Sequence, residues 1–132
     1  MDGTPRTKLM AAPTEPIPDA ELQVLKLLWA TESLTARELA EAVYRVADNS
    51  TVGTVQKLLQ RLEKKGCVKR DRSQFAHRFS AKVTLTAVAG RHLEMLAKRV
   101  ADGSLAPFIT HLVQAKKLSA EEKNDIRRLL EK

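Results

Sequence analysis

Residues 48–82 read DNSTVGTVQKLLQRLEKKGCVKRDRSQFAHRFSAK, and their pattern is the most informative about the fold. Apolar residues recur in it at three- and four-residue spacing, which predicts a helix from about Val52 to Lys65. Its expected buried stripe is Val55, Leu58, Leu59 and Leu62. Gly66 predicts the helix end, because glycine adopts a left-handed conformation at little steric cost. Residues 67–70 and 77–80 then predict two short strands joined by the polar segment 71–75.

Two shorter helices are predicted before this segment. The first has Asp19 as its expected N-cap, and its apolar face contains Leu22, Leu25, Leu28 and Trp29. The second begins at a capping box of Thr35 and Glu38, and its expected inward residues are Leu39, Ala40, Val43 and Val46. Three helices followed by a hairpin predict a winged helix-turn-helix domain over residues 17–82.

Charge is concentrated on the third helix and the hairpin. The chain of 132 residues has a formal net charge of +7. Residues 48–82 hold nine bases and three acids, a net charge of +6, whereas residues 15–47 have a net charge of −3. This asymmetry favours a polyanionic partner for the helix and hairpin. A solvated basic face without a partner is the alternative interpretation.

The residue types on this face suit double-stranded DNA. A helix fits the width of the major groove, where Gln, Lys and Arg donate hydrogen bonds to base edges. The predicted base or near-base contacts are Thr54, Gln56, Lys57 and Arg61. The predicted phosphate or wing contacts are Thr51, Lys64, Arg70, Arg72 and Arg78, since cations that neutralise phosphates supply most non-specific affinity.

The C-terminal part, residues 83–132, predicts three helices that are each apolar on one side. Pro107 is compatible with the first turn of the second, and Ser119 with Glu122 caps the third. Such stripes would face water in a monomer, so we expect them to pack on a second copy of the chain; folding back on the first domain is the alternative. The predicted homodimer contacts are Leu93, Leu96, Leu105, Phe108, Ile109, Leu112, Ile126, Leu129 and Leu130.

Other function classes find little support in the sequence. No nucleophile, phosphate-binding or metal-ligand motif is present, so we expect no enzyme activity, no cofactor and no metal. Cys67 is predicted to be a small core residue. Residues 1–16 predict a flexible tail without a signal peptide, and no apolar run approaches the roughly 18 residues of a membrane span. These features predict a cytoplasmic protein.

Three segments resemble the penicillinase repressor family. They are residues 19–29 with 34–39 (DAELQVLKLLW and LTAREL), residues 54–66 (TVQKLLQRLEKKG), and residues 103–108 with 118–122 (GSLAPF and LSAEE). The resemblance implies a homodimeric repressor whose winged helices bind an inverted-repeat operator and whose C-terminal helices dimerise.

The resemblance also implies two ways of sensing a signal. In one branch of the family an upstream membrane sensor protease leads to repressor cleavage, and in another a C-terminal Cys-x-Cys cluster senses copper. This chain has no Asn-Phe pair around residues 101–104 and no cysteine after Cys67. Copper sensing by a C-terminal Cys-x-Cys cluster is therefore excluded. Lys57 stands where the family often has Thr, which predicts a different operator.

The sequence therefore predicts a dimeric DNA-binding transcriptional regulator, acting as a repressor. One alternative is a winged-helix module that binds RNA or protein without operator specificity. The other is an enzyme or ligand-gated sensor with a pocket between the wing and the C-terminal helices.

Overall fold

The computed structural model describes residue 13 and residues 15–132. The chain divides into two compact units, one ending at His92 and the other comprising Leu93–Lys132. The described residues form six α-helices and one three-stranded antiparallel sheet. This confirms the predicted fold class, a winged helix-turn-helix domain with a C-terminal helical region. Most of the predicted tail, residues 1–16, lies outside the described residues.

The first helix, α1, comprises Asp19–Trp29 and buries Val24, Leu25 and Leu28. The prediction that Asp19 is its N-cap is wrong. The carbonyl of Pro18 accepts the N–H of Leu22 at 2.9 Å, so Pro18 is the N-cap and Asp19 lies in the first turn. A negative charge there still interacts favourably with the helix dipole.

The second helix, α2, comprises Ala36–Tyr44, and its predicted capping box is confirmed. The Glu38 carboxylate accepts the Thr35 N–H at 2.8 Å, and the Thr35 hydroxyl accepts the Glu38 N–H at 3.1 Å. The helix ends at Tyr44, and the next residue, Arg45, has a left-handed φ of 65°. Val46, predicted to face inward, therefore lies beyond the helix and is 48% exposed.

The third helix, α3, comprises Asn49–Lys64, so it begins earlier than the predicted Val52. The Asp48 carboxylate accepts the Thr51 N–H at 2.8 Å, and the Thr51 hydroxyl accepts the Asp48 N–H at 3.0 Å. This reciprocal cap places the first turn before the apolar repeat starts. Gly66 follows the helix with a φ of +79°, as predicted. The predicted stripe is confirmed as buried: Val55, Leu58, Leu59 and Leu62.

The sheet combines the predicted hairpin with one strand that was not predicted. Strands β2, Val68–Asp71, and β3, Arg78–Ala81, pair antiparallel with Arg70 opposite Phe79. Strand β1, Leu34–Thr35, adds to the other side of β3, so the order is β1-β3-β2. This strand joins the wing to the start of α2, with Thr35 opposite Arg78.

One hydrophobic core holds the first unit together. Its buried residues are Ile17, Val24, Leu25, Leu28, Leu39, Ala40, Val55, Leu58, Leu59, Leu62, Cys67, Val68, Phe79, Val83 and Val88. Trp29 packs against this core and donates its indole N–H to the carbonyl of Val83 at 2.8 Å. The core thus continues beyond residue 82, where the sequence placed the end of the domain. Burial also raises the pKa of the Cys67 thiol, which therefore stays protonated at neutral pH.

The second unit is helical. Helix α4, Leu85–Ala101, continues into it from the first unit and is followed by α5, Ala106–Gln114, and α6, Ala120–Leu130. Pro107 lies in the first turn of α5, as predicted. Ser119 and Glu122 form the predicted capping box of α6 with two bonds of 3.0 Å.

Candidate nucleic-acid interface

The outward side of α3 is a row of residues nearly opposite the buried stripe. At about 100° per residue, spacings of four, three and four align Gly53, Lys57, Gln60 and Lys64 on that side. The three side chains of this row are exposed. We call these four residues the α3 outward row. The core does not use the row, so its side chains are available to a ligand.

The other predicted base contacts on α3 lie beside this row. Thr54 and Arg61 flank it on one side, and Gln56 lies on the other, toward the wing. All three are exposed. The Thr54 hydroxyl donates to the carbonyl of Ser50 at 3.1 Å, so toward a base it offers an acceptor and a methyl group.

Thr51 serves the cap of α3. Its hydroxyl donates to the carbonyl of Val46 at 2.7 Å, and its N–H donates to Asp48. A phosphate needs a donor, and both donors of Thr51 are already used. Hydrogen bonding, first from the backbone N–H of Thr51, lowers the pKa of Asp48, so this carboxylate is ionised at neutral pH. Thr51 thus positions the start of α3, and the phosphate contact predicted for it stays a prediction.

The three predicted wing arginines lie in different surroundings. Arg72 has a 61% exposed side chain and lies 3.7 Å from a Glu63 carboxylate oxygen. The Arg70 side chain is only 20% exposed, pairs with Glu63 at 3.1 Å, and its guanidinium lies over the Phe79 ring. Such a stacked, paired guanidinium holds the wing against α3. Arg72 is thus the wing arginine best placed to meet a duplex.

Arg78 connects the sheet to the start of α2. Its Nε donates to the Ser33 hydroxyl at 2.9 Å, and one Nη donates to the Ser33 carbonyl at 3.0 Å. The same Nη lies 3.4 Å from the Glu38 carboxylate. These bonds use most of the guanidinium, so Arg78 supports the wing from within.

A groove of about 530 Å³ separates the wing from α2 and α3. The amides of Gln56 and Gln60 line the helix side, and Phe75 and His77 line the wing side. Phe75 is fully exposed at the hairpin tip. The loop before it is shaped by Asp71, whose carboxylate accepts the Ser73 N–H at 2.9 Å; hydrogen bonding to Ser73 lowers the pKa of Asp71.

Two residues that line this groove, Gln60 and Phe75, were not predicted from the sequence as site residues. Gln60 follows Lys57 by three residues, a spacing that places it on the same side of α3. Phe75 is an aromatic residue in a polar loop, which could have marked it as exposed.

Comparisons with known proteins identify one family. The model for the family described as Penicillinase repressor matches residues 17–132. The chain belongs to the penicillinase repressor family. A relative from Mycobacterium tuberculosis (strain ATCC 25618 / H37Rv), named Transcriptional regulator BlaI, is 34% identical over 114 residues, which cover 85% of this chain and 80% of the relative. Penicillinase repressor from Bacillus licheniformis is 25% identical over 115 residues, or 87% of this chain and 89% of that protein.

The resemblance that the sequence motifs predicted is therefore confirmed, and penicillinase repressor family members of this kind are transcriptional regulators. Within residue 13 and residues 15–132, no group of three or more His, Cys, Asp or Glu side chains is placed to hold a metal ion. No helix in that part of the chain is long and apolar enough to cross a membrane.

The family match continues through the second unit, which exposes much apolar surface. Phe108 is half-buried. The other predicted dimer contacts are between 36% and 80% exposed in the single chain, and they are Leu93, Leu96, Leu105, Ile109, Leu112, Ile126, Leu129 and Leu130. So much exposed leucine and isoleucine is typical of a surface that a protein partner covers.

Proposed function

We propose that this chain is a repressor that binds an inverted-repeat operator in double-stranded DNA as a homodimer. The α3 outward row carries the proposal, because it combines exposed lysines and an exposed glutamine on a helix face that the core leaves unused. The family match and the names of the relatives agree with a repressor.

In this proposal α3 enters the major groove, which is wide enough for a helix. Lys57 donates to the N7 and O6 atoms of a guanine, and the amides of Gln56 and Gln60 are suited to adenine. Thr54 accepts a hydrogen bond from a base amino group or contacts a thymine methyl. Arg61 lies at the edge of the face, where it reaches a base or the adjacent backbone.

Phosphate contacts come from Lys64 on α3 and from Arg72 on the wing. Both side chains are exposed, and Arg72 stands on the hairpin that flanks the groove described above. Phe75, at the tip of the same hairpin, adds an apolar contact in the neighbouring minor groove, where proteins often place such side chains. Arg70, Arg78 and Thr51 act indirectly by holding the wing and the helix start in place.

The second unit supplies the dimer contact through its exposed apolar residues. Joining two weakly binding winged helices raises affinity by a factor on the order of 10² to 10⁴, because the second half-site is bound intramolecularly. The dimer then represses by excluding polymerase from the operator. The chain has no Asn-Phe pair around residues 101–104, so we propose no cleavage step for induction.

Salt dependence of duplex binding tests the proposal. If the dimer neutralises about six to eight phosphates, the slope of log affinity against log salt is about −5 to −7. Lys64→Ala should weaken binding to all duplexes alike and reduce the magnitude of the slope by one to two, since the dimer loses two cations. Lys123→Ala, an exposed lysine of the second unit, is the matched control and should leave the slope unchanged. Affinity that is insensitive to salt, or tighter binding to single-stranded RNA, would overturn the proposal in favour of the RNA- or protein-binding alternative.

A further inference from the structure

Gly53 lies inside α3, where glycine is unfavourable. It is the fifth residue of a sixteen-residue helix, and among the common residues only proline disfavours a helix interior more. Its φ is not in the left-handed region, and a Cβ added there would meet no atom within 4 Å beyond its chain neighbours and the backbone of its own helix. The fold therefore gives no reason for glycine at this position, since alanine would fit and favour the helix.

The position of Gly53 suits the approach of a ligand to the helix. It is the first member of the α3 outward row, one turn before Lys57 and next to Thr54. In helix-turn-helix complexes the N-terminal part of the recognition helix comes closest to base edges. A residue without a Cβ allows a backbone to approach a ligand more closely than any other residue.

We propose that Gly53 is a positioning residue that sets how deeply α3 enters the major groove. Without a Cβ at this point, the helix backbone comes close enough for Thr54 and Lys57 to reach base edges. This inference rests on the proposed function. It assigns to Gly53 no hydrogen bond and no charge, only the space that its missing side chain leaves for the duplex.

A pair of glycine-to-alanine variants tests the inference. Gly90 lies inside α4, and a Cβ there also meets no atom within 4 Å beyond its chain neighbours and its own helix backbone. Both Gly53→Ala and Gly90→Ala should raise the melting temperature by about 2–8 °C, because each replaces a helical glycine by alanine. Only Gly53→Ala should weaken binding, by about ten-fold or more, to the duplex that the wild-type protein selects from a random pool. The salt slope should not change, since no charge is removed.

The outcomes separate this inference from the proposed function. A Gly53→Ala protein that is more stable and binds the selected duplex as tightly as wild type would overturn the role of Gly53 alone. A Gly53→Ala protein with a lower melting temperature would also overturn it, because the glycine would then be required by the fold. Wild-type protein that selects no duplex would overturn the proposed function and this inference together. A similar loss of binding in Gly90→Ala would also overturn the role of Gly53, because the loss would then follow from stiffening any helical glycine.

Discussion

Lys57 and Lys64 belong to the same row of α3, and both are exposed, yet we assign them different tasks. Lys57 lies near the middle of the helix, where the proposed complex brings this face to the floor of the major groove. Lys64 is the last residue of α3, at the end from which the chain continues into the wing. A lysine that reads a base changes which sequences are preferred, whereas one that contacts a phosphate changes affinity for all sequences.

Lys57→Ala should therefore relax the base preference at one position of each half-site, symmetrically about the operator centre. The loss against the preferred sequence should be about 1–3 kcal/mol, as for other direct base contacts. Selection of duplexes with the variant measures the change, and Lys64→Ala is the control whose motif should stay the same. If the Lys57→Ala protein selects the wild-type motif with a uniform loss of affinity, Lys57 is a phosphate contact.

At the scale of elements, local signals were predictable from the sequence and contacts through space were not. The capping boxes at Thr35 and Ser119 depend on residues three apart, so the sequence predicts them directly. The cap at Asp48 was missed as a helix start because Thr51 takes the place usually held by Glu or Gln. Strand β1 has two residues, too few to show an alternating pattern.

The same distinction explains the candidate site. Periodicity places the exposed residues of α3 correctly, because buried and outward positions of a helix follow from spacing alone. It carries no information on Arg78, whose partner Ser33 lies 45 residues away in sequence. The pairing of Arg70 with Glu63 likewise depends on how β2 packs on α3. Charge counting treated all three wing arginines as equal, although only Arg72 is mostly exposed.

The wing also carries a prediction. Phe75→Ala should weaken binding to every duplex by about 0.5–1.5 kcal/mol, the range for one aromatic contact, while the salt slope stays unchanged because no cation is lost. Gln74→Ala, its exposed neighbour, should bind as wild type does. Titrations at several salt concentrations measure both quantities. Unaltered affinity in Phe75→Ala would remove the hairpin tip from the interface.

At the scale of the whole molecule, the two units have separate surface characters. The first holds the cationic face of α3 and the wing, and the second exposes apolar residues on its helices. The net charge of +7 is thus not spread evenly, since residues 48–82 carry most of it. In our account the charged unit contacts DNA, and the apolar unit contacts a second copy.

If the proposed dimer covers Leu112, Leu112→Asp should abolish the dimer. A carboxylate would then be buried without a hydrogen-bond donor. Thr110→Asp adds the same charge to an exposed position of the same helix, α5, and should remain dimeric. Sedimentation equilibrium distinguishes the two states. An unchanged dimer in Leu112→Asp would show that this surface is not the dimer contact.

Selection of duplexes from a random pool is the most informative measurement, because it examines DNA binding, sequence preference and twofold symmetry together. A dimer that reads DNA through two copies of α3 should enrich an inverted repeat, with half-site centres one helical turn or a multiple of it apart. Duplexes selected by the Leu112→Asp protein should still contain single half-sites. They should no longer contain two half-sites at a fixed distance. If the dimer enriches no sequence, or a motif without inverted symmetry, then the chain does not bind an operator through two copies of α3.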